Sequence, residues 1–116
     1  MPTERTSTLI YISARLHLRT SAEGGRMTPL KTGYRPNHVF IPSADPRGLT
    51  TYIGEIQFSN VPLLYPGDTH VVHVKFLRLP QIEKFIQVGR IWWIYEVPKL
   101  IGEAEILTIF PDIDHL

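Results

Sequence analysis

The chain predicts a small antiparallel β-barrel or sandwich, on three observations. Apolar and polar residues alternate with a period of two over residues 8–19 and again over 70–77. Clusters of proline, glycine, asparagine and aspartate break the chain at short intervals. Ten prolines and eight glycines in 116 residues fit a barrel of short strands and turns.

The elements follow in order. Residues 1–7 are polar and read as a tail. From Thr8, the residues Ile10, Ile12, Ala14, Leu16 and Leu18 share one face and Ser13, Arg15, His17 and Arg19 the other, as in a half-buried strand. Thr20 to Gly25 supplies a turn, with Gly24-Gly25 open to positive φ, so a first hairpin is expected there. A second extended segment is expected from Tyr34 to about Ile41, with Pro36 marking an edge, a start or a bulge. Ser43 to Gly48 is a loop, and Thr51 to Phe58 a third strand.

Tyr65-Pro66-Gly67-Asp68 fits a type II turn, because proline presets φ at its second position and glycine admits positive φ at its third. His70 to Leu77 follows as a strand with Val72, Val74 and Phe76 on its apolar face. Gln81 to Val88 reads as a short helix or an irregular connection. Ile91 to Glu96 and Leu100 to Phe110 are the last strands, joined through Val97-Pro98-Lys99, and residues 111–116 read as a second tail. One domain is therefore expected over residues 8–110.

Composition narrows the function. Hydrophobic residues make up 43% and charged residues 20%, ordinary for a chain that buries one core. Cysteine is absent, which removes thiol catalysis, disulfides and thiolate metal sites. No apolar run has the length of a membrane span, and the first residues lack a signal-peptide core, so the cytoplasm is the expected location. The net charge is +1 but unevenly spread. Residues 1–50 hold seven Lys/Arg against three Asp/Glu, or +4, and residues 51–116 hold five against eight, or −3.

Few residues suggest chemistry. His17, His38, His70, His73 and His115 are scattered, and His70 and His73 fall on opposite faces of one strand, so no metal site is expected. Glu103 and Glu105 share a face of the last strand and read as a solvated outer surface rather than an acid–base pair. No nucleophile motif and no phosphate-binding glycine loop with its lysine is present in these residues, so neither an enzyme nor GTP binding is expected, and no cofactor is implied.

Two surfaces stand out. Arg15, Arg19, Arg26 and Arg35, with His17 and Lys31, form a candidate basic patch around the first hairpin for a nucleic-acid backbone. Trp92-Trp93 is the second. With Trp92 and Ile94 inside, Ile91, Trp93 and Tyr95 point outward as an apolar stripe that marks a protein interface, unless Ile82, Phe85 and Ile86 cover it.

Four pieces of the chain carry a family resemblance. They are Glu23-Gly24-Gly25-Arg26 with Thr28-Pro29, then Gly33-Tyr34-Arg35-Pro36, then Tyr65-Pro66-Gly67-Asp68, and last Gly89, Ile94, Glu96 and Gly102. In this order they resemble the third, C-terminal domain of elongation factor Tu. The resemblance implies a six-stranded antiparallel Greek-key barrel. In that family the barrel packs on the preceding barrel and the GTPase domain, and touches the T-stem backbone of aminoacyl-tRNA. The family's tRNA contacts fall on Asn37 and Glu96. The family usually has arginine before that glutamate and Gly-Gly after it, whereas Tyr95 precedes and Val97-Pro98 follows here. The connection before Gly89 is also about three residues longer than the family's.

The expected function is a non-catalytic binding module acting through protein contacts, homodimerisation being one version. The alternatives are RNA binding at a tRNA stem, through Asn37, Glu96 and the basic patch, and mimicry that competes with the factor for its partners.

Overall fold

The computed structural model describes residues 8–111. The tails expected at 1–7 and 111–116 lie outside them apart from Pro111, as does His115. Six strands are formed: β1 Leu9–Leu18, β2 Asn37–Val39, β3 Tyr52–Gln57, β4 Thr69–Leu77, β5 Ile91–Glu96 and β6 Lys99–Ile109. Three short 3-10 turns, Ser21–Glu23, Pro46–Gly48 and Glu83–Phe85, lie in the connections.

The strands close into an antiparallel barrel in the order β1-β4-β3-β2-β5-β6, with β6 returning to β1. Three consecutive strands, β2, β3 and β4, are joined in series, and β1 lies beside β4, the Greek-key arrangement. Closure leaves no sheet edge, which removes the hazard of unpaired backbone groups.

Alternation sets the inside. Ile10, Ile12, Ala14, Leu16 and Leu18 of β1 meet Val72, Val74 and Phe76 of β4 in one core, with Trp92 and Ile94 of β5 and Ile101, Ala104 and Ile106 of β6. The expected inward faces of β1, β4 and β5 are therefore the observed ones. The Tyr65–Asp68 turn also forms as expected, with Gly67 at φ 93° and the Asp68 amide donating to the Tyr65 carbonyl at 2.9 Å.

Several expectations are corrected. β1 does not make a hairpin with the next segment, because its partners are β4 and β6. The turn after it is a capped 3-10 turn, in which the Thr20 hydroxyl accepts from the Glu23 amide and the Glu23 carboxylate accepts from the Thr20 amide. Only Gly24 takes positive φ, at 92°. Gly25 is needed for space, since a Cβ there would lie 2.5 Å from the Arg19 carbonyl oxygen. β2 begins at Asn37 rather than Tyr34, which makes only an isolated bridge to Ile56. The connection over residues 81–88 is, as expected, irregular around one short 3-10 turn, Glu83–Phe85, and its Ile82 and Phe85 enter the core.

Candidate functional site

The glycine-arginine segment and the β5–β6 turn meet around one carboxylate. Glu96 ends β5 and accepts hydrogen bonds from both the Arg26 guanidinium and the Tyr34 hydroxyl. Arg26 also donates to the Thr28 carbonyl at 3.1 Å and the Thr28 hydroxyl at 2.9 Å, and its guanidinium lies 5.2 Å from the centre of the Tyr34 ring. The guanidinium fork thus ties the loop over residues 24–36 to the late hairpin. Asn37 stands beside Tyr95 in the β2–β5 ladder, and its Oδ1 accepts from the Val97 amide at 3.3 Å. The two positions that resemble RNA contacts are therefore neighbours, and each has an internal partner.

The four candidate arginines do not share an unneutralised surface. Arg15 pairs with Glu105 at 3.1 Å, Arg19 with Glu103 at 4.0 Å, Arg26 with Glu96, and Arg35 with Glu55 at 3.4 Å. Lys75 reaches Glu55 as well, at 3.7 Å. The flanking Arg35 and Lys75 charges and a Gln57 amide hold the Glu55 carboxyl below its ordinary value, the Gln57 hydrogen bond most of all. The barrel brings β1 beside β6, so the basic first half of the chain meets the acidic second half across the sheet. Glu103 and Glu105 occupy the solvated outer face expected of them.

The outward stripe on β5 is narrower than alternation predicts. Ile91 is 45% exposed and Trp93 half-buried, but Tyr95 is only 9% exposed. A bulge between Ile94 and Tyr95 shifts the register, so that Tyr95 opposes Leu100 while Ile94 opposes Gly102. Trp93 lies between Val39 and Glu103, and Ile53 on β3 is 55% exposed beside Asn37. Of the residues expected as a cover, Ile82 and Phe85 join the core and Ile86 packs against it partly buried.

One polar residue of the interior was not anticipated. His38 is fully buried on β2. Its Nε2 lies 3.0 Å from the Gly54 carbonyl, and the Trp92 indole donates to its Nδ1 at 3.0 Å. A carbonyl can only accept and an indole N–H can only donate, so Nε2 carries the proton and Nδ1 none. Burial pushes the imidazole down to about 4, against a weaker opposing effect of the Gly54 hydrogen bond. The signal in the sequence was Gly54 on the inward row Tyr52-Gly54-Ile56, where a missing side chain leaves room for a ring from a neighbouring strand.

Among the described residues, no helix is long and apolar enough to cross a membrane. No family model matches the chain. It is 31% identical over 97 residues to elongation factor Tu 2 of Streptomyces avermitilis. The match covers 84% of this chain and 22% of that protein, in its C-terminal part. Similarity over most of the chain, joined to a closed six-stranded barrel, makes this an elongation factor Tu-like β-barrel domain that resembles the C-terminal part of the factor.

Proposed function

We propose that the chain is a non-catalytic binding module that works through protein contacts on the outer face of β5. The observation that carries this reading is the contrast between two sets of outward residues. The polar set, Asn37, Glu96 and the four arginines, is engaged by partners within the chain. The apolar pair Ile91 and Trp93 keeps surface open to solvent. Across β6 and β1 this pair is bordered by the Arg15–Glu105 and Arg19–Glu103 ion pairs. An apolar centre with a charged rim is the composition of a protein interface rather than of a phosphate track.

The test is sedimentation of the purified chain together with affinity capture from its native host, using the wild type and Trp93→Ala. Self-association, or a captured protein, that is lost in the variant supports the reading. A monomer whose captured proteins are unchanged by the substitution overturns it. A parallel gel shift with tRNA at low salt addresses the alternative. Binding there that weakens steeply with salt and fails in Arg15→Ala/Arg19→Ala would move the assignment to RNA.

A further inference from the structure

At the end of the barrel away from Glu96 lies a cleft of about 350 Å³, between the loop after β2 and the 3-10 turn before β5. Its floor is aromatic. Phe40 and Phe85 stack with ring centres 5.1 Å apart and planes within 5°, and Tyr52 meets Phe40 edge-on at 5.8 Å. Ile41, 62% exposed, forms an apolar lip. A volume of this size accommodates a small ligand or one large side chain.

Three features beyond shape point to an occupant. Tyr52 is only 7% exposed, yet no hydrogen bond engages its hydroxyl among the described residues. No polar side-chain atom among the described residues is both buried and unpartnered, so the hydroxyl oxygen reaches solvent, and Tyr52 lines the cleft. Lys84 lines the same cleft with its ammonium 5.2 Å above the Phe85 ring and 3.4 Å from the Gln81 side-chain oxygen. Lys84 has no carboxylate within ion-pair distance among the described residues, whereas Arg90, outside the cleft lining, donates to the Phe40 and Ile91 carbonyls. The acids of the two flanking segments are already matched, Glu83 with Arg78 and Asp45 with Arg47. Finally, Gln81 on the cleft wall holds φ at 77°, a conformation that a side chain other than glycine adopts rarely and that clusters at binding sites.

We propose that this cleft binds a carboxylate carried on a short aromatic or aliphatic body. The body packs among Ile41, Tyr52 and Phe85, the carboxylate faces the Lys84 ammonium, and the Tyr52 hydroxyl donates to it. Two sources share this chemistry, a free small acid and the carboxyl terminus of a peptide ending in a large apolar residue. The cleft shares no lining residue with the β5 outer face, so the two proposals stand or fall apart.

The experiment is a titration of the whole ¹⁵N-labelled chain, followed by amide chemical shifts. The probes are 3-phenylpropionate, 3-phenylpropanamide, and the peptide Gly-Gly-Phe as free acid and as amide. The proposal expects saturable shifts confined to residues 40–52 and 81–86 with an acid and weaker ones with its amide. Lys84→Met is expected to lower acid affinity three- to fivefold, on the order of a partly exposed ion pair. Tyr52→Phe, which removes only an unpartnered hydroxyl, is expected to lower it by about fivefold. Trp93→Ala is expected to change nothing here. Tighter binding of the peptide acid assigns a chain terminus, and equal or tighter binding of 3-phenylpropionate assigns a free acid. Absence of saturable shifts below about 10 mM with both acids, equal affinity for acid and amide, or a Lys84→Met variant that binds as the wild type overturns the proposal.

Discussion

Lowering the pH from 8 to 5 is expected to destabilise this barrel through one side chain, His38. In the folded chain its proton sits on Nε2 against the Gly54 carbonyl, and a second proton on Nδ1 would face the Trp92 N–H. Ser13 is the other buried polar residue among those described, so no buried charge is at hand to stabilise an imidazolium. The folded value of about 4 stands against an ordinary 6.5 in the unfolded chain. Between these values the unfolded state binds more protons, so stability falls as pH falls. It is level above about 6.5 and level again below about 4. Linkage gives a loss of about 1 kcal/mol at pH 6, about 2 at pH 5 and about 3 below pH 4.

The assay is urea unfolding at pH 8, 7, 6 and 5, followed by tryptophan fluorescence, for the wild type and His38→Gln. Glutamine keeps one donor for Gly54 and one acceptor for Trp92 but does not titrate. The wild type is expected to lose about 2 kcal/mol from pH 8 to 5 more than the variant does. Glu23, Asp45 and Glu55, whose carboxyls lie below their ordinary values, also lose stability on acidification, but in a lower window and equally in both proteins. If the variant fails to fold, the wild-type His38 ring resonances serve instead. They are expected not to shift between pH 8 and 5. Parallel unfolding curves for the two proteins, or a His38 ring that titrates near 6.5, would refute the reasoning.

Three further outcomes are expected. Gly54→Ala places a Cβ 2.8 Å from both the His38 ring and the Phe76 ring, and overpacking of this kind is expected to cost about 1–3 kcal/mol in urea unfolding. The adjacent tryptophans should separate sharply: Trp92→Ala empties the core and costs about 3–5 kcal/mol, whereas Trp93→Ala removes a half-buried ring and costs about 1–2 kcal/mol. Glu96→Ala strips Arg26 and Tyr34 of their shared acceptor, with an expected loss of about 2 kcal/mol and faster amide exchange over residues 24–36, while Arg15→Ala at the exposed pair is expected to change stability by under about 1 kcal/mol.

Period-two alternation made β1, β4 and β5 legible, because each needs only to know which of its own residues are apolar. Whatever depended on a partner strand was not. β2 is three residues long and is held between β3 and β5 by pairs far away in sequence, so its start could not be read from Tyr34 and Pro36. Tyr95 reads as outward by parity, yet it is 9% exposed without joining the core cluster, and nothing in β5 itself signals that cover. The charge imbalance between the two halves reads as a basic patch until the barrel closes β6 onto β1 and sets Glu103 and Glu105 against the arginines.

The glycine-arginine segment shows the same limit from the side of function. As a string of residues, Gly24 to Arg35 points to a family, and through the family to Asn37 and Glu96. In the fold, Arg26 and Tyr34 from that string take the Glu96 carboxylate as their common acceptor, and Asn37 holds the turn that follows it. The distinctive residues are thus bonded to one another, and their joint presence follows from the demands of one loop-to-hairpin junction. Any RNA contact at this place would first have to compete with those bonds for the same oxygens. Engagement of Ile91 and Trp93 by another protein would break no hydrogen bond at all.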